Sequence, residues 1–330
     1  MSLKAPFPYF GGKGRAASIV WQRLGDPSGY VEPFAGSAAV LLGRPPFTGR
    51  RVETLNDAEG WLVNAWRAIQ LAPDDVAAVA FGPVTEIDYH ARLAWLNERR
   101  DADLVSWLEG DPEHFDAKAA GWWLYVLACG IGYPFGGGPW RVVDGRLVDT
   151  RHLGDAGRGV SRELPHLGDA GRGVSRELPH LGNAGQGVLA NYLGTLADRL
   201  KRVRITCGDW ARVVKPSVTR AGAAGDGARA VFLDPPYSTS GDLYVHGDSD
   251  ISAAVRDWCA TADAALRIIL CGYDDEHDAL LSMGWKRVAG KAGGGAGYSS
   301  RSDNGRRERM WLSPACLGAD EQSELFGGDA

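Results

Sequence analysis

Two short apolar runs, Tyr30-Val31 and Ala230-Val231-Phe232-Leu233, each lead straight into a turn of acid, proline and small residues. The turns are Glu32-Pro33-Phe34-Ala35-Gly36-Ser37 and Asp234-Pro235-Pro236-Tyr237. Short apolar runs bounded by turn signals read as strands buried on both faces. Arg51 to Asp57, Val203 to Cys207 and Arg267 to Cys271 read as further strands. Helical spacing of apolar residues falls between them, at Ser18–Leu24, from Ala38 to Leu42, at Trp61–Leu71 with Pro73 ending it, at Leu193–Leu200 and at Arg256–Leu266. Trp285–Ala289 and Glu308–Leu312 form a final hairpin across a Gly/Ser-rich loop, 293–305. Strands alternating with helices specify an α/β fold with a largely parallel, doubly wound sheet. Ligands of such a sheet sit at the carboxyl ends of its strands.

The α/β pattern breaks off at about residue 72 and resumes at about 190. In between, Tyr89–Leu96 and Trp122–Leu127 carry Ala, Trp and Leu at helical spacing, which predicts a helical insertion whose aromatic residues are core. A repeat follows. The segment from His152 to Pro165 recurs from His166 to Pro179 and begins again at His180, a period of 14 residues ending near Val188. The unit is too short for a helical solenoid and too rich in glycine for helix. It is either a loop array presenting Arg158, Arg162, Arg172 and Arg176 to phosphate or base edges, or a tolerated surface expansion.

The net charge of -5 argues mildly against a nucleic-acid binder, but the charge is uneven. The tail from 317 holds four acids and no base, leaving the rest of the chain at -1. Basic clusters at Arg199–Arg204 and Arg306–Arg309 then stand out. The first reads as a solvated helix end, the second as a phosphate contact. The five cysteines are scattered without a Cys-x-x-Cys pair, so reduced, buried thiols and no metal are expected. No apolar run is long enough for a membrane span, and the amino terminus lacks the apolar core of a signal peptide, so a cytoplasmic location is expected; the chain is also expected to be a monomer.

The first turn has the chemistry of a cofactor loop. Gly36 lets the backbone approach a ligand, and the helix amino end beyond it favours a carboxylate. The loop is neither Gly-x-Gly-x-x-Gly nor a P-loop, which disfavours a dinucleotide or nucleoside triphosphate. Asp57 ends the next strand, where a carboxylate can accept both hydroxyls of a ribose. Together they fit a nucleoside-bearing cofactor without a pyrophosphate, such as S-adenosylmethionine. The second turn is a cluster of acceptors. Two consecutive prolines remove two backbone donors, the Asp234 carboxylate adds acceptors, and Tyr237 offers a flat face. That set suits an exocyclic amine on an aromatic ring.

With these segments the chain resembles the Dam-type DNA adenine-N6 methyltransferases (D12 class, alpha group). Tyr9-Phe10-Gly11-Gly12-Lys13 looks like the family's amino-terminal motif, Glu32–Ser37 its cofactor loop, Asn56-Asp57 its acidic strand end and Asp234–Tyr237 its catalytic tetrapeptide. Cys207-Gly208-Asp209-Trp210 sits where members place a segment at the cofactor adenine. The resemblance implies a Rossmann-like S-adenosylmethionine-dependent methyltransferase sheet with a mainly helical target-recognition insertion. The catalytic domain would comprise 1–72 and 190–316, the insertion 73–189 with its repeats at 152–188, and a flexible acidic tail 317–330. Tyr9, Phe10, Gly11, Gly12 and Lys13 would meet the methionine end of S-adenosylmethionine, Lys13 pairing with its carboxylate. Glu32, Pro33, Phe34, Ala35, Gly36 and Ser37 would line the same site, with Asp57 at the ribose and Asp209 at the adenine. Asp234, Pro235, Pro236 and Tyr237 would be catalytic, and Asp234 would also border the cofactor. Arg306 and Arg307 would join the repeat arginines on double-stranded DNA.

The alternatives are a cytosine-N4 methyltransferase, which needs the same acceptors, a protein-glutamine methyltransferase, and a catalytically degenerate DNA-binding protein. Asp rather than Ser at 234 favours adenine over cytosine. Finally, Gln322-Ser323-Glu324-Leu325-Phe326 resembles the peptide by which bacterial proteins dock on the sliding clamp, with Gln322, Leu325 and Phe326 as anchors. The resemblance implies a bacterial or phage source.

Overall fold

The computed structural model describes residues 3–9, 12–47, 49, 51–99, 104–111, 113–130, 135, 140–143, 146–149, 186–219, 227–236, 249–289 and 307–318. Its centre is a seven-stranded mixed sheet. In chain order the elements of the first part are α1 (Ala17–Leu24), β1 (Gly29–Glu32), α2 (Ala39–Leu42), β2 (Val52–Asp57) and α3 (Gly60–Leu71). Four helices follow, α4 (Pro73–Ala80), α5 (Glu86–Glu98), α6 (Leu104–Gly110) and α7 (Ala117–Cys129), then a hairpin of β3 (Trp140–Val143) and β4 (Arg146–Asp149). The last part holds α8 (Gln186–Leu200), β5 (Val203–Cys207), α9 (Pro216–Thr219), β6 (Arg229–Leu233), α10 (Ser249–Thr261), β7 (Arg267–Tyr273), β8 (Lys286–Ala289) and β9 (Glu308–Leu312).

The strand order is β5-β2-β1-β6-β7-β9-β8. The first five strands are mutually parallel, and β9 runs antiparallel to both of its neighbours. The architecture is α/β and compatible with a Rossmann-like fold. From β1 the chain winds outward to β2 and later β5, then returns to the other side of β1 as β6. The order therefore reverses between β1 and β6, and a crevice opens at such a point.

Successive residues of a strand face opposite sides of the sheet. Tyr30, Leu55, Phe232, Ile269 and Cys271 join a core with α1, α2, α3, α4, α7 and α8. Val31, Val231, Leu233, Ile268 and Leu270 join a second core with Val255 and Cys259 of α10 and Leu280 of a 3-10 turn. Both faces are covered, which explains why β1 and β6 are buried at every position. The helices of the 73–129 region share the first core. Phe7 packs on Trp66 at 5.2 Å and on Trp123 at 4.8 Å. Trp123 and Tyr125 are fully buried, as expected of core aromatics, whereas Trp107 is exposed and Trp95 and Trp122 are half-buried.

Several element boundaries differ from the sequence reading. Pro73 opens α4 rather than merely closing α3. It occupies the first helical position, where its missing N–H costs nothing, and Asp74 and Asp75 complete the first turn. α8 starts at Gln186, inside the third partial repeat, despite the glycines. That copy runs on into Leu189, Leu193, Leu196 and Leu200, all buried, and this packing outweighs the cost of Gly187. α10 starts at Ser249 and stops at Thr261 rather than at Leu266. Asp263 accepts a hydrogen bond from the Ala265 N–H and its carbonyl accepts from Leu266, a local turn that competes with helix. β3–β4 is an addition that helical spacing did not announce.

Candidate functional site

The loop after β1 is held rigidly. Glu32 is 2 % exposed, and its Oε2 accepts from the Tyr30 hydroxyl at 2.9 Å and from the Leu41 N–H at 3.2 Å. α2 has only four residues, and Glu32 takes one of its amide groups. The protein's own carboxyl thus meets the helix end expected to receive a ligand's. Burial foremost pushes the Glu32 pKa up to about 8, and the charges of Asp234 and Glu53 push the same way. Glu32 is therefore mostly a neutral acid at pH 7.

Gly36 has φ of 47°, and a Cβ there would lie 2.6 Å from the Tyr9 ring. The close approach that demands glycine is thus to the protein's own tyrosine. Ala38, with φ of 49°, carries left-handed strain without being glycine. β2 supplies the clamp. The Asn56 carbonyl accepts from Ala35, and Asn56 Nδ2 donates to the carbonyls of Pro33 and Gly208 at 3.1 and 2.9 Å. Asp57 Oδ2 accepts from the Gly36 N–H at 2.9 Å, and its Oδ1 from the Glu59 N–H. Trp66 of α3 donates to the Gly36 carbonyl at 3.0 Å.

Because β1 and β6 are paired neighbours, Asp234 emerges beside this loop. A cleft of about 550 Å³, counting the space at its mouth, is lined by Tyr9, Gly12, Lys13, Glu32, Phe34–Ser37, Ala39, Asp57, Phe232, Asp234 and Pro236. Lys13 Nζ lies 3.2 Å from Asp234 Oδ1 and 3.3 Å from Glu308 Oε1. The Cys271 thiol lies beneath. Burial pushes its pKa well above the ordinary thiol value, and the Asp234 carboxylate adds to the effect.

Most of the described residues that were singled out in the sequence therefore share one cleft. Pro33 and Pro235 are not among the residues that line it. Asp209 is also outside the lining. It caps the short turn at Trp210–Arg212, accepting from the Ala211 N–H. Its neighbour Trp210 reaches the cleft indirectly, stacked on Phe34 at 6.1 Å and 30°. Arg307 donates from Nε to Asp274 at 2.6 Å and lies over the Tyr273 ring. Phe10, Gly11, Tyr237, Arg158, Arg162, Arg172, Arg176, Arg306, Gln322, Leu325 and Phe326 lie outside the described residues.

Sequence reasoning missed Glu308, hidden as the lone acid among the arginines at 306, 307 and 309. Its alternate position on an edge-reversing strand gave no functional signal. Leu317, assigned to the tail, donates its N–H to the Arg23 carbonyl, accepts from the Arg23 guanidinium and packs against Gly25. Among the described residues no helix is long and apolar enough to cross a membrane. No protein-family model matches the chain, and a search of curated proteins finds no significant relative.

Proposed function

We propose that this chain is an S-adenosylmethionine-dependent DNA methyltransferase acting on the N6 amine of adenine. One observation carries the reading: a glycine-bearing loop and an Asp-Pro-Pro turn border one cleft at the point where the strand order reverses. The cleft's residues fit the cofactor. Asp57 lines the cleft at the end of β2, and its carboxylate offers acceptors of the kind a diol needs. Phe34, backed by Trp210, offers an aromatic wall. Lys13, expected at the cofactor's carboxylate, instead pairs with Asp234 and Glu308 at the cleft wall.

S-adenosylmethionine, when bound, supplies a methyl group on a positively charged sulfur. The chain's own residues deal with the acceptor. Adenine's amine is a poor nucleophile because its lone pair is delocalised into the ring. Asp234 accepts one of its N–H bonds, and the Pro235 carbonyl another, drawing the nitrogen toward tetrahedral geometry and localising the lone pair. Pro235 and Pro236 present no competing backbone donors. Rate acceleration comes from positioning and from acceptors fixed in advance. Lys13 balances the charge of Asp234. The base must leave the duplex to enter the cleft, at a cost of roughly a few kcal/mol. The region 73–189 selects the site on DNA.

Methyl transfer from tritiated S-adenosylmethionine to duplexes that offer only adenine or only cytosine tests the reading. Transfer confined to adenine is expected, and transfer confined to cytosine, or none to any DNA, defeats it.

A further inference from the structure

We propose that Glu308 is a positioning residue: it holds the Lys13 ammonium against Asp234 and so fixes the carboxylate that receives the target amine. The inference rests on the methyltransferase reading for its kinetic consequence and on the geometry alone for its structural one. Three segments far apart in the chain meet here. Lys13 comes from the strap before α1, Asp234 from the end of β6, and Glu308 from the start of β9, paired in register with Tyr273. Only because β9 runs antiparallel does its first residue lie at the carboxyl ends of the parallel strands, where the cleft is.

The Lys13 side chain is 10 % exposed and sits between the two carboxylates at nearly equal distances, 3.2 and 3.3 Å. A lysine has four rotatable bonds, and a single contact leaves its ammonium free to swing. The second carboxylate, anchored on a sheet strand, removes that freedom. Two carboxylates share this ammonium, so Asp234 keeps acceptor character toward an amine. Removing Glu308 would take away one of the two carboxylates that hold the ammonium. Asp234 would then lose the fixed counter-charge that sets its position toward the amine.

The test uses full-length protein and two variants, Glu308→Leu and Glu308→Gln. Gln keeps an oxygen that can accept from the ammonium, whereas Leu does not. The first readout is the nitrogen-resolved spectrum of lysine ammonium groups, with the Lys13 signal identified by its loss in Lys13→Arg. The signal is expected in the native chain, weakened in Glu308→Gln and lost in Glu308→Leu through faster proton exchange. The second readout is steady-state methylation. Turnover should fall about 10-fold or more in Glu308→Leu, with KM for S-adenosylmethionine within about 3-fold, and Glu308→Gln should recover part of it. An unchanged Lys13 signal in Glu308→Leu overturns the proposal. So does a lost signal with unchanged turnover, or equal loss of turnover in both variants accompanied by equal loss of stability. If the native chain methylates no DNA, the methyltransferase reading has failed, and the spectra still decide whether Glu308 holds Lys13.

Discussion

The two turns that border the cleft are built in opposite ways. The loop after β1 is tied down by its immediate surroundings: Asn56, Asp57, Trp66, Tyr30 and Leu41 all hydrogen-bond it or its leading glutamate. The turn after β6 carries a side chain, Asp234, held by an ammonium from the far end of the sequence, which a third segment holds in turn. The first turn is a scaffold whose residues stabilise the fold. The second is an electrostatic assembly, and on the proposed function its residues can be altered at small cost to stability and large cost to chemistry.

The strongest challenge to that contrast is Asp234→Ala. Methyl transfer should fall at least about 10³-fold, as for loss of a fixed transition-state partner, while unfolding free energy stays within about 1 kcal/mol of the native chain. Binding of S-adenosylmethionine, followed by calorimetry, should survive. Substantial residual activity would sink the assigned role.

On the scaffold side, Gly36→Ala should destabilise by about 2–4 kcal/mol, because an L side chain is strained at this φ and its Cβ would meet the Tyr9 ring. Adding Tyr9→Leu should restore only part of the loss, since the backbone strain remains. Complete recovery in denaturant titration would show that sterics alone impose the glycine.

Glu32→Gln probes the buried acid. The folded pKa of about 8 lies above the model-peptide value of 4.5, so the folded chain holds a proton that the unfolded chain releases between those limits. Native stability is therefore highest below pH 4.5 with respect to this group and declines as pH rises toward 8. Gln has no proton to release and its amide oxygen can still accept from Tyr30 and Leu41. The variant should thus gain on the native chain as pH rises, by up to about 3 kcal/mol at pH 7, and gain no more above pH 8. A stability difference that is flat with pH would mean that Glu32 is ionised in the fold.

Asn56→Ala is the mildest change, about 1–2 kcal/mol for two lost donors to buried carbonyls. If instead it unfolds the loop, measured by backbone hydrogen exchange of Ala35 and Gly36, the scaffold is a single cooperative latch.

The periodic segments were legible because burial on both faces leaves its imprint in the sequence. β1, β6 and the core of β7 are apolar runs, and α3 and α8 carry apolar stripes. Boundaries were less legible. The stop of α10 depends on one aspartate turning its side chain to the backbone, and the start of α8 depends on leucines that find a core only in three dimensions. Within the cleft, the residue types of Glu32–Ser37 and Asp234–Pro236 pointed to their place, since turns after buried strands of a parallel sheet share one edge. Glu308 did not, because no local pattern distinguishes an acid that faces a cleft from one that faces solvent.

The sequence by itself thus determined the α/β alternation, the two turns and their acceptor-rich chemistry, all of which follow from local propensity and hydrophobic pattern. Only the tertiary structure decided that Tyr9 fills the space above Gly36, that Glu32 keeps a short helix end for itself, and that Lys13 is shared between Asp234 and Glu308. Those outcomes depend on sheet order and on one reversed strand, and charge pairing across such distances in the chain leaves no periodic trace in it.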